Sequence, residues 1–255
     1  MSIEKLVIYT GLFNDYDNLI IPIIKHKNIK YICFTNNIKL KSKEWEIIFI
    51  SEKGSGNFLN RKVKMLPHIY LKNYKKSIYI DANVLLVCNP NKLYSYLLKY
   101  DFIVFEHPKK STFLDELNVN FYNKNINDEI YQKLLRIHSN YIFFNLSSTK
   151  SIPTNRILVR NHLNKELIQL MENWWYDYSS LNINRDQLIL PYLINRYSFQ
   201  VKIIRSKYNY INYYILRSHN NYSSYLKFKF FFRYSIIEFL IRIVFKFNKF
   251  SLYLF

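Results

Sequence analysis

Glycine is scarce in this chain. Gly11, Gly54 and Gly56 are the only three in 255 residues, and they spell neither a G-x-G-x-x-G turn nor a G-x-x-x-x-G-K-[ST] phosphate cradle. Cysteine is scarcer: Cys33 and Cys88 each lie in an apolar strand-like run without a second thiol nearby. A disulfide framework is excluded, and buried free thiols in a reducing compartment are expected. No apolar run approaches the roughly 18 residues a bilayer-spanning helix needs, so membrane contact is expected to be peripheral only. The opening MSIEKLVIYTGLF carries Glu4 where a signal peptide would be basic and has no small-residue cleavage site. It reads as a first strand. Acidic residues are also few: 18 Asp and Glu against 37 Lys and Arg give a formal net charge of +19. That charge favours an anionic partner, whether nucleic acid, an acidic membrane or a phosphorylated small molecule. A genome biased toward Lys, Asn, Ile, Tyr and Phe accounts for it equally well.

What is present points to one α/β domain. An apolar content of 49% is enough for one full core and a small appendage. LVIYT (6–10), YICFT (31–35), EIIFI (46–50), SIYIDANVLLV (77–87) and DFIVFEH (101–107) read as strands. DNLIIPIIKH, NFLNRKVKML and NKLYSYLLKY between them read as helices, an order that predicts a mostly parallel sheet. A polar helical stretch follows over 111–136, then the apolar runs YIFFNL and NRILVR. In LNKELIQLMENWWYDY, Leu163, Leu167, Leu170, Met171, Trp174, Trp175 and Tyr178 recur at helical spacing and read as a core face. The glycines fall in loops after presumptive strands, where an open α/β sheet places its ligand.

From residue 207 the chain is aromatic and basic, with Glu238 as its acidic exception. Ile236, Ile237, Leu240, Ile241 and Val244 share one helix face, with Arg242, Lys246 and Lys249 at its margins. Such a tail suits an interfacial helix on anionic lipid; a helix packed on the rest of the chain is the competing reading. The division expected is a catalytic domain over 1–220 and a basic amphipathic tail over 221–255.

The chemistry is concentrated in YIDAN. Residues two apart on a strand point the same way, so Asp81 and Asn83 can converge on one ligand. A carboxylate and an amide oxygen are hard donors that suit Mg²⁺ or Mn²⁺ carrying a diphosphate. Upstream, Leu59, Val63 and Leu66 share one helix face while Arg61 and Lys64 occupy another, from which they can meet phosphate oxygens. A solvated helix face is the plainer reading of those cations, and a capped turn that of Asp81.

The order YTGLFNDYD, CFTN, a basic helix ending LPH, YIDAN, FEHP, a long helix ending ENWW, then RDQL resembles a GT-A-type glycosyltransferase family formerly catalogued as a domain of unknown function. That family has plant cell-wall-related and bacterial members, and the likeness spans about residues 5–219. It implies a GT-A-like, Rossmann-like sheet and a transferase that uses a nucleotide sugar. Tyr9 and Thr10 would border the nucleoside, with Asp15 and Asp17 in the loop beyond; Arg61, beside Lys64, would meet the diphosphate. Asp81 and Asn83 would stand at the D-x-D motif, with His219 completing the metal site for Mn²⁺ or Mg²⁺. Asp186, beside Gln187, would orient the acceptor or act as base, although an N-cap for the helix of DQLILPYLINRY is an equally natural role. Glu106 and His107 would line the sugar pocket. Asn83 in place of a second acid removes a negative charge from the metal site, and Pro153 stands near where the family carries an acidic residue.

The expected partners are a nucleoside diphosphate sugar, a glycan or lipid-linked acceptor in surface polysaccharide synthesis, and an anionic membrane surface on its cytoplasmic face; no nucleic acid is expected. Two other classes compete: a basic nucleic-acid-binding protein with base-stacking aromatics, and an inactive membrane-surface scaffold on the same fold.

Overall fold

The computed structural model describes residues 6–23, 25–107, 112–142, 152–181, 183, 185–205, 210–219, 238–240 and 243. Its strands are β1 (Leu6–Leu12), β2 (Ile29–Thr35), β3 (Glu46–Phe49), β4 (Lys76–Ile80), β5 (Val84–Leu86), β6 (Phe102–Glu106), β7 (Pro153–Asn161), β8 (Val201–Ile204) and β9 (Tyr214–Leu216). A seven-stranded sheet runs β3-β2-β1-β4-β7-β6-β8, and β5 pairs with β9 in a two-stranded sheet. Within the larger sheet only β7 runs against its neighbours, pairing antiparallel with β4 and β6. This is the mostly parallel α/β sheet the strand and helix order predicts.

Alternation within β1 explains the layering. Val7 and Tyr9 join the apolar cluster on one face, and Ile8 and Leu12 the cluster on the other. A strand covered on both faces has to be apolar almost throughout, and residues Val7 to Leu12 are all buried. Both cysteines are free; burial pushes the Cys33 thiol up to about 12 and that of Cys88 up to about 11.

Several expected elements take another form. SIYIDANVLLV is two strands, not one. The Asp81 N–H donates to Arg156 O at 2.9 Å, and the Val84 N–H then donates to Asp81 O at 2.9 Å. That turn carries the chain out of the large sheet and into β5, leaving Asp81 and Asn83 on a corner. DNLIIPIIKH forms no helix among its described residues: Pro22 has no N–H to give, and the Ile20 carbonyl accepts the Trp45 indole N–H at 2.9 Å. NKLYSYLLKY shortens to a helix over Pro90–Ser95 and a 3₁₀ turn over Tyr96–Leu98. The stretch 111–136 divides into Phe113–Tyr122, opened by a Thr112–Asp115 capping box, and Asp128–Ile142. NRILVR lies within β7. The run YIFFNL beyond Ile142, and the tail residues Ile236, Ile237, Ile241, Arg242, Val244, Lys246 and Lys249, lie outside the described residues.

Two helices build the wall that bears the site. The first, α1 (Gly56–Met65), starts at Ser55, whose side chain accepts from the Phe58 N–H, and buries Leu59, Val63, Lys64 and Met65. The second, over Lys165–Ser180, is capped by Asn164 and buries Leu167, Leu170, Met171, Trp174 and Tyr178. Leu163 precedes that helix and is exposed, and Trp175 is half-buried with its ring 4.8 Å from that of Phe58.

Gly11 lies within β1 rather than after it, and its lack of a side chain lets α1 press against that strand. A Cβ there would stand 2.9 Å from Val63 Cγ2 and 3.0 Å from Asn60 Nδ2, while the Asn60 amide donates to Gly11 O at 2.7 Å. Gly11→Ala is expected to lower stability by about 1–3 kcal/mol through overpacking, measured by urea unfolding with an unchanged slope.

Candidate functional site

A cleft of about 630 Å³ opens where β1 and β4 end, walled by α1 and by the 3₁₀ turn Asp186–Leu188. In an open α/β sheet this carboxyl end of the parallel strands is where ligands bind. At its base lies Lys64, whose side chain is 1% exposed. Its ammonium is 2.8 Å from Asp186 Oδ2 and 3.4 Å from Asp81 Oδ1, and it stands 5.0 Å over the Tyr79 ring. Arg61, one turn earlier on α1, has Nε 3.4 Å from Asp186 Oδ1 and donates from Nη1 to Asn60 Oδ1 at 2.8 Å. The Tyr79 hydroxyl donates to Asp81 Oδ1 at 2.9 Å. A buried lysine therefore bridges two carboxylates that are 105 positions apart in the sequence (81 and 186).

The electrostatics follow from that packing. Burial of Asp186 would push its carboxyl up, but Arg61 and Lys64 more than offset it and hold the group at about 2. Burial pulls Arg61 down, yet Asp186 and Asp81 raise it beyond its ordinary value. Tyr79 is raised by burial and by Asp81. Asp186 is held as an anion by Arg61 and Lys64, and it is the first residue of the 3₁₀ turn, whose N-cap position is taken by Arg185.

Below the cleft, Arg160 is buried to 1% exposure. It donates from Nη1 to Lys64 O at 2.6 Å and from Nη2 to the Tyr9 hydroxyl; that hydroxyl lies 3.3 Å from both Val63 O and Lys64 O. A cation placed on the carbonyls that end α1 is favourable for the helix dipole. The Trp174 indole N–H donates to Asp186 O at 3.1 Å. Both Arg160 and Trp174 thereby position the charged cluster from outside it.

Asn83 belongs to a second set. Its Nδ2 lies 3.1 Å from Arg217 O and 3.2 Å from His219 Nε2, and His219 Nδ1 lies 2.8 Å from Asp17 Oδ2. The Arg217 carbonyl can only accept, so the nitrogen of the Asn83 amide faces it. His219 Nε2 then accepts from Asn83, and its Nδ1–H donates to Asp17.

Arg61, Lys64, Asp81, Asn83, Asp186, Gln187 and His219, with Asp17, all line the cleft. The structure does not bring Tyr9, Thr10, Asp15 or His107 to it. Tyr9 and Thr10 are buried inside β1, and burial, relieved in part by Arg160, pushes the Tyr9 hydroxyl up to about 12. Asp15 is exposed and accepts from Asn37 Nδ2 at 2.7 Å. His107 follows β6, with its N–H on Ile152 O at 2.9 Å, and Glu106 pairs with Pro153 on that strand's ladder. Asn60 on α1, Asn155 and Arg156 on β7, and Arg185 before the 3₁₀ turn also stand in the lining, and nothing local in sequence separates them from ordinary polar residues of a helix, strand or loop.

Among the described residues no three His, Cys, Asp or Glu side chains are grouped to hold a metal ion. The contacts on Asp81 fall on Oδ1 and those on Asn83 on Nδ2, which leaves an oxygen of each as a hard donor that fits a divalent cation. His219 fits only if Nε2 gives up the Asn83 amide.

A family model described as TOD1/MUCI70, glycosyltransferase-like domain, matches residues 1–214. No curated protein matches the chain. Among solved structures it is similar to mouse xyloside xylosyltransferase 1 in its apo form, with 8% identity, 79% of this chain and 84% of that one covered, and a TM-score of 0.42. It is also similar to the apo WbbM bifunctional glycosyltransferase, with 12% identity, 80% of this chain and 39% of that one covered, and a TM-score of 0.42.

Because the folded-state carboxyl of Asp186 lies below its ordinary 3.8, at about 2, the unfolded chain binds more protons in that window. The stabilisation is therefore complete above it and is lost as the pH falls through about 2. Asp186→Asn, which leaves Arg61 and Lys64 with Asp81 as their remaining carboxylate, is expected to cost about 3–5 kcal/mol at pH 7. That difference should narrow by about 2 kcal/mol as the pH is lowered through the window, measured by denaturant unfolding of both proteins.

Proposed function

The chain belongs to the TOD1/MUCI70 glycosyltransferase-like domain family, and on that premise we propose that it transfers a sugar from a nucleoside diphosphate donor to a hydroxyl of a glycan or lipid-linked acceptor. One observation carries the donor reading: the buried Lys64 ammonium, held between Asp81 and Asp186 at the base of the cleft with Arg61 beside it. Arg61, Lys64, Arg156 and Arg185 line the cleft against the carboxylates Asp17, Asp81 and Asp186, so the walls favour an anion. Arg61 and Lys64 are pre-aimed, and fixed donors of this kind stabilise a leaving diphosphate without reorganising as charge builds up on it.

Asp81 and Asn83, with His219 if it turns from Asn83, would hold the divalent ion, which when bound neutralises charge on the departing phosphates. The residues of the chain then divide the work. Arg61 and Lys64 bind and orient the diphosphate. Asp186 keeps both cations in place as an ionised anchor. Asn60, Asn155 and Gln187 present carboxamides to the cleft, groups that both donate to and accept from the hydroxyls of a sugar.

Surface polysaccharide as the acceptor context and a peripheral seat on the cytoplasmic membrane face belong to the same proposal; the +19 net charge favours an anionic surface for the second of them. The nucleic-acid reading is weaker: Tyr9, Phe34, Tyr79, Phe102 and Trp174 are buried in the core rather than offered to bases.

In a panel of uridine, guanosine and cytidine diphosphate sugars with Mn²⁺, at least one is expected to raise the melting temperature and to be hydrolysed slowly by the purified protein. Asp81→Ala, with an unchanged circular dichroism spectrum, should lower that hydrolysis about a hundredfold. Equal turnover by the two proteins, or no response to any donor, would overturn the assignment.

A further inference from the structure

Between Gln187 and Phe255 there is one acidic side chain, Glu238. It is buried, at 7% exposure, in the described piece of the tail. Its carboxylate takes both arms of one guanidinium: Arg217 Nε donates to Oε2 at 3.0 Å, and Arg217 Nη2 donates to Oε1. Paired forks of this kind fix direction as well as distance. Arg217 grips the corner of the cleft with its main chain. Its N–H donates to Asn83 O at 2.8 Å, and its carbonyl accepts the Asn83 side-chain amide at 3.1 Å. Two residues on, His219 accepts from that same amide and donates to Asp17.

The ribbon that carries these groups has little strength of its own. β5 and β9 are three residues each and pair only with one another, and an isolated two-stranded ribbon is marginal in water. One face of the ribbon packs on a small cluster of Ile20, Leu85 and Ile215, and the other sends Val84 and Tyr214 into the core of the large sheet, where Tyr214 meets the Phe105 ring. That packing ends with β9 at Leu216, and beyond it Arg217 and His219 are held by the polar contacts to Asn83, Asp17 and Glu238.

We infer that Glu238 is a positioning residue of the cleft: by holding Arg217 it fixes Asn83 and His219, which makes the C-terminal segment a working part of the diphosphate site although Glu238 is not in the cleft lining. The diphosphate half of this inference rests on the function proposed above. The tether itself does not.

The test uses the full chain in four forms: wild type, Glu238→Gln, Arg217→Glu, and the exchange Arg217→Glu with Glu238→Arg. Uridine, guanosine and cytidine diphosphates with Mn²⁺ serve as calorimetric probes. For whichever binds the wild type, each single variant is expected to weaken affinity about fivefold or more, a usual size for coupling between sites, and the exchange to restore it to within about twofold. A second readout needs no ligand: the ¹⁵N resonance of the His219 ring, identified through His219→Gln, and hydrogen exchange of the Arg217 amide. Both should shift in Glu238→Gln and return in the exchange variant. Wild-type affinity, ring resonance and exchange rate in Glu238→Gln would overturn the inference, as would an exchange variant that restores none of them. If Glu238→Gln does not fold, the exchange variant decides by itself. If no diphosphate binds the wild type, the transferase reading fails, while the resonance and exchange data still decide the tether.

Discussion

The ammonium of Lys64, enclosed between Asp186 at 2.8 Å and Asp81 at 3.4 Å, is the contact on which the cleft depends. A lysine is rarely buried this fully, because removing its charge from water costs several kcal/mol unless opposite charges replace the lost hydration. Two carboxylates from distant parts of the chain supply that replacement, and Arg61 shares one of them. The cluster is costly to break at any one member. It also brings α1, the corner after β4 and the turn at Asp186 into one rigid base.

That base is held by groups outside the charged cluster. Arg160 closes the end of α1 through Lys64 O and leans on the Tyr9 hydroxyl; Trp174 holds the main chain of Asp186; Gly11 lets α1 approach β1. Each is an ordinary core requirement seen alone. Together they set the side chains of Arg61 and Lys64 in low-entropy positions, the condition under which fixed charges act strongly on a ligand. On the other side of the cleft the ribbon of β5 and β9 is packed on both faces, and beyond its ends Asn83 and His219 are placed by hydrogen bonds and by the Arg217–Glu238 ion pair.

Legibility in the sequence tracked the range of the forces concerned. β1 and β2 were readable because burial on both faces demands apolar runs, and the helix Lys165–Ser180 because its buried residues recur at helical spacing. SIYIDANVLLV reads as one strand because its two apolar halves are both strand-like, while the Val84 N–H closes a turn on Asp81 O between them. DNLIIPIIKH has a helical pattern, yet the indole of Trp45 takes a carbonyl its helix would have needed. Tyr9, set beside the nucleoside by the resemblance alone, instead accepts from Arg160 with its hydroxyl inside the core.

By itself the sequence determined the α/β class, the absence of glycine-rich phosphate loops and disulfides, and the candidates Arg61, Lys64, Asp81, Asn83, Asp186 and His219, since periodicity and residue chemistry are local properties. Only the tertiary structure decided that Lys64 bridges Asp186 to Asp81, that Arg61 joins them at Asp186, and that Glu238 reaches Arg217. Each of those depends on which charges meet out of water, and burial and distance between remote segments are properties of the packed chain alone.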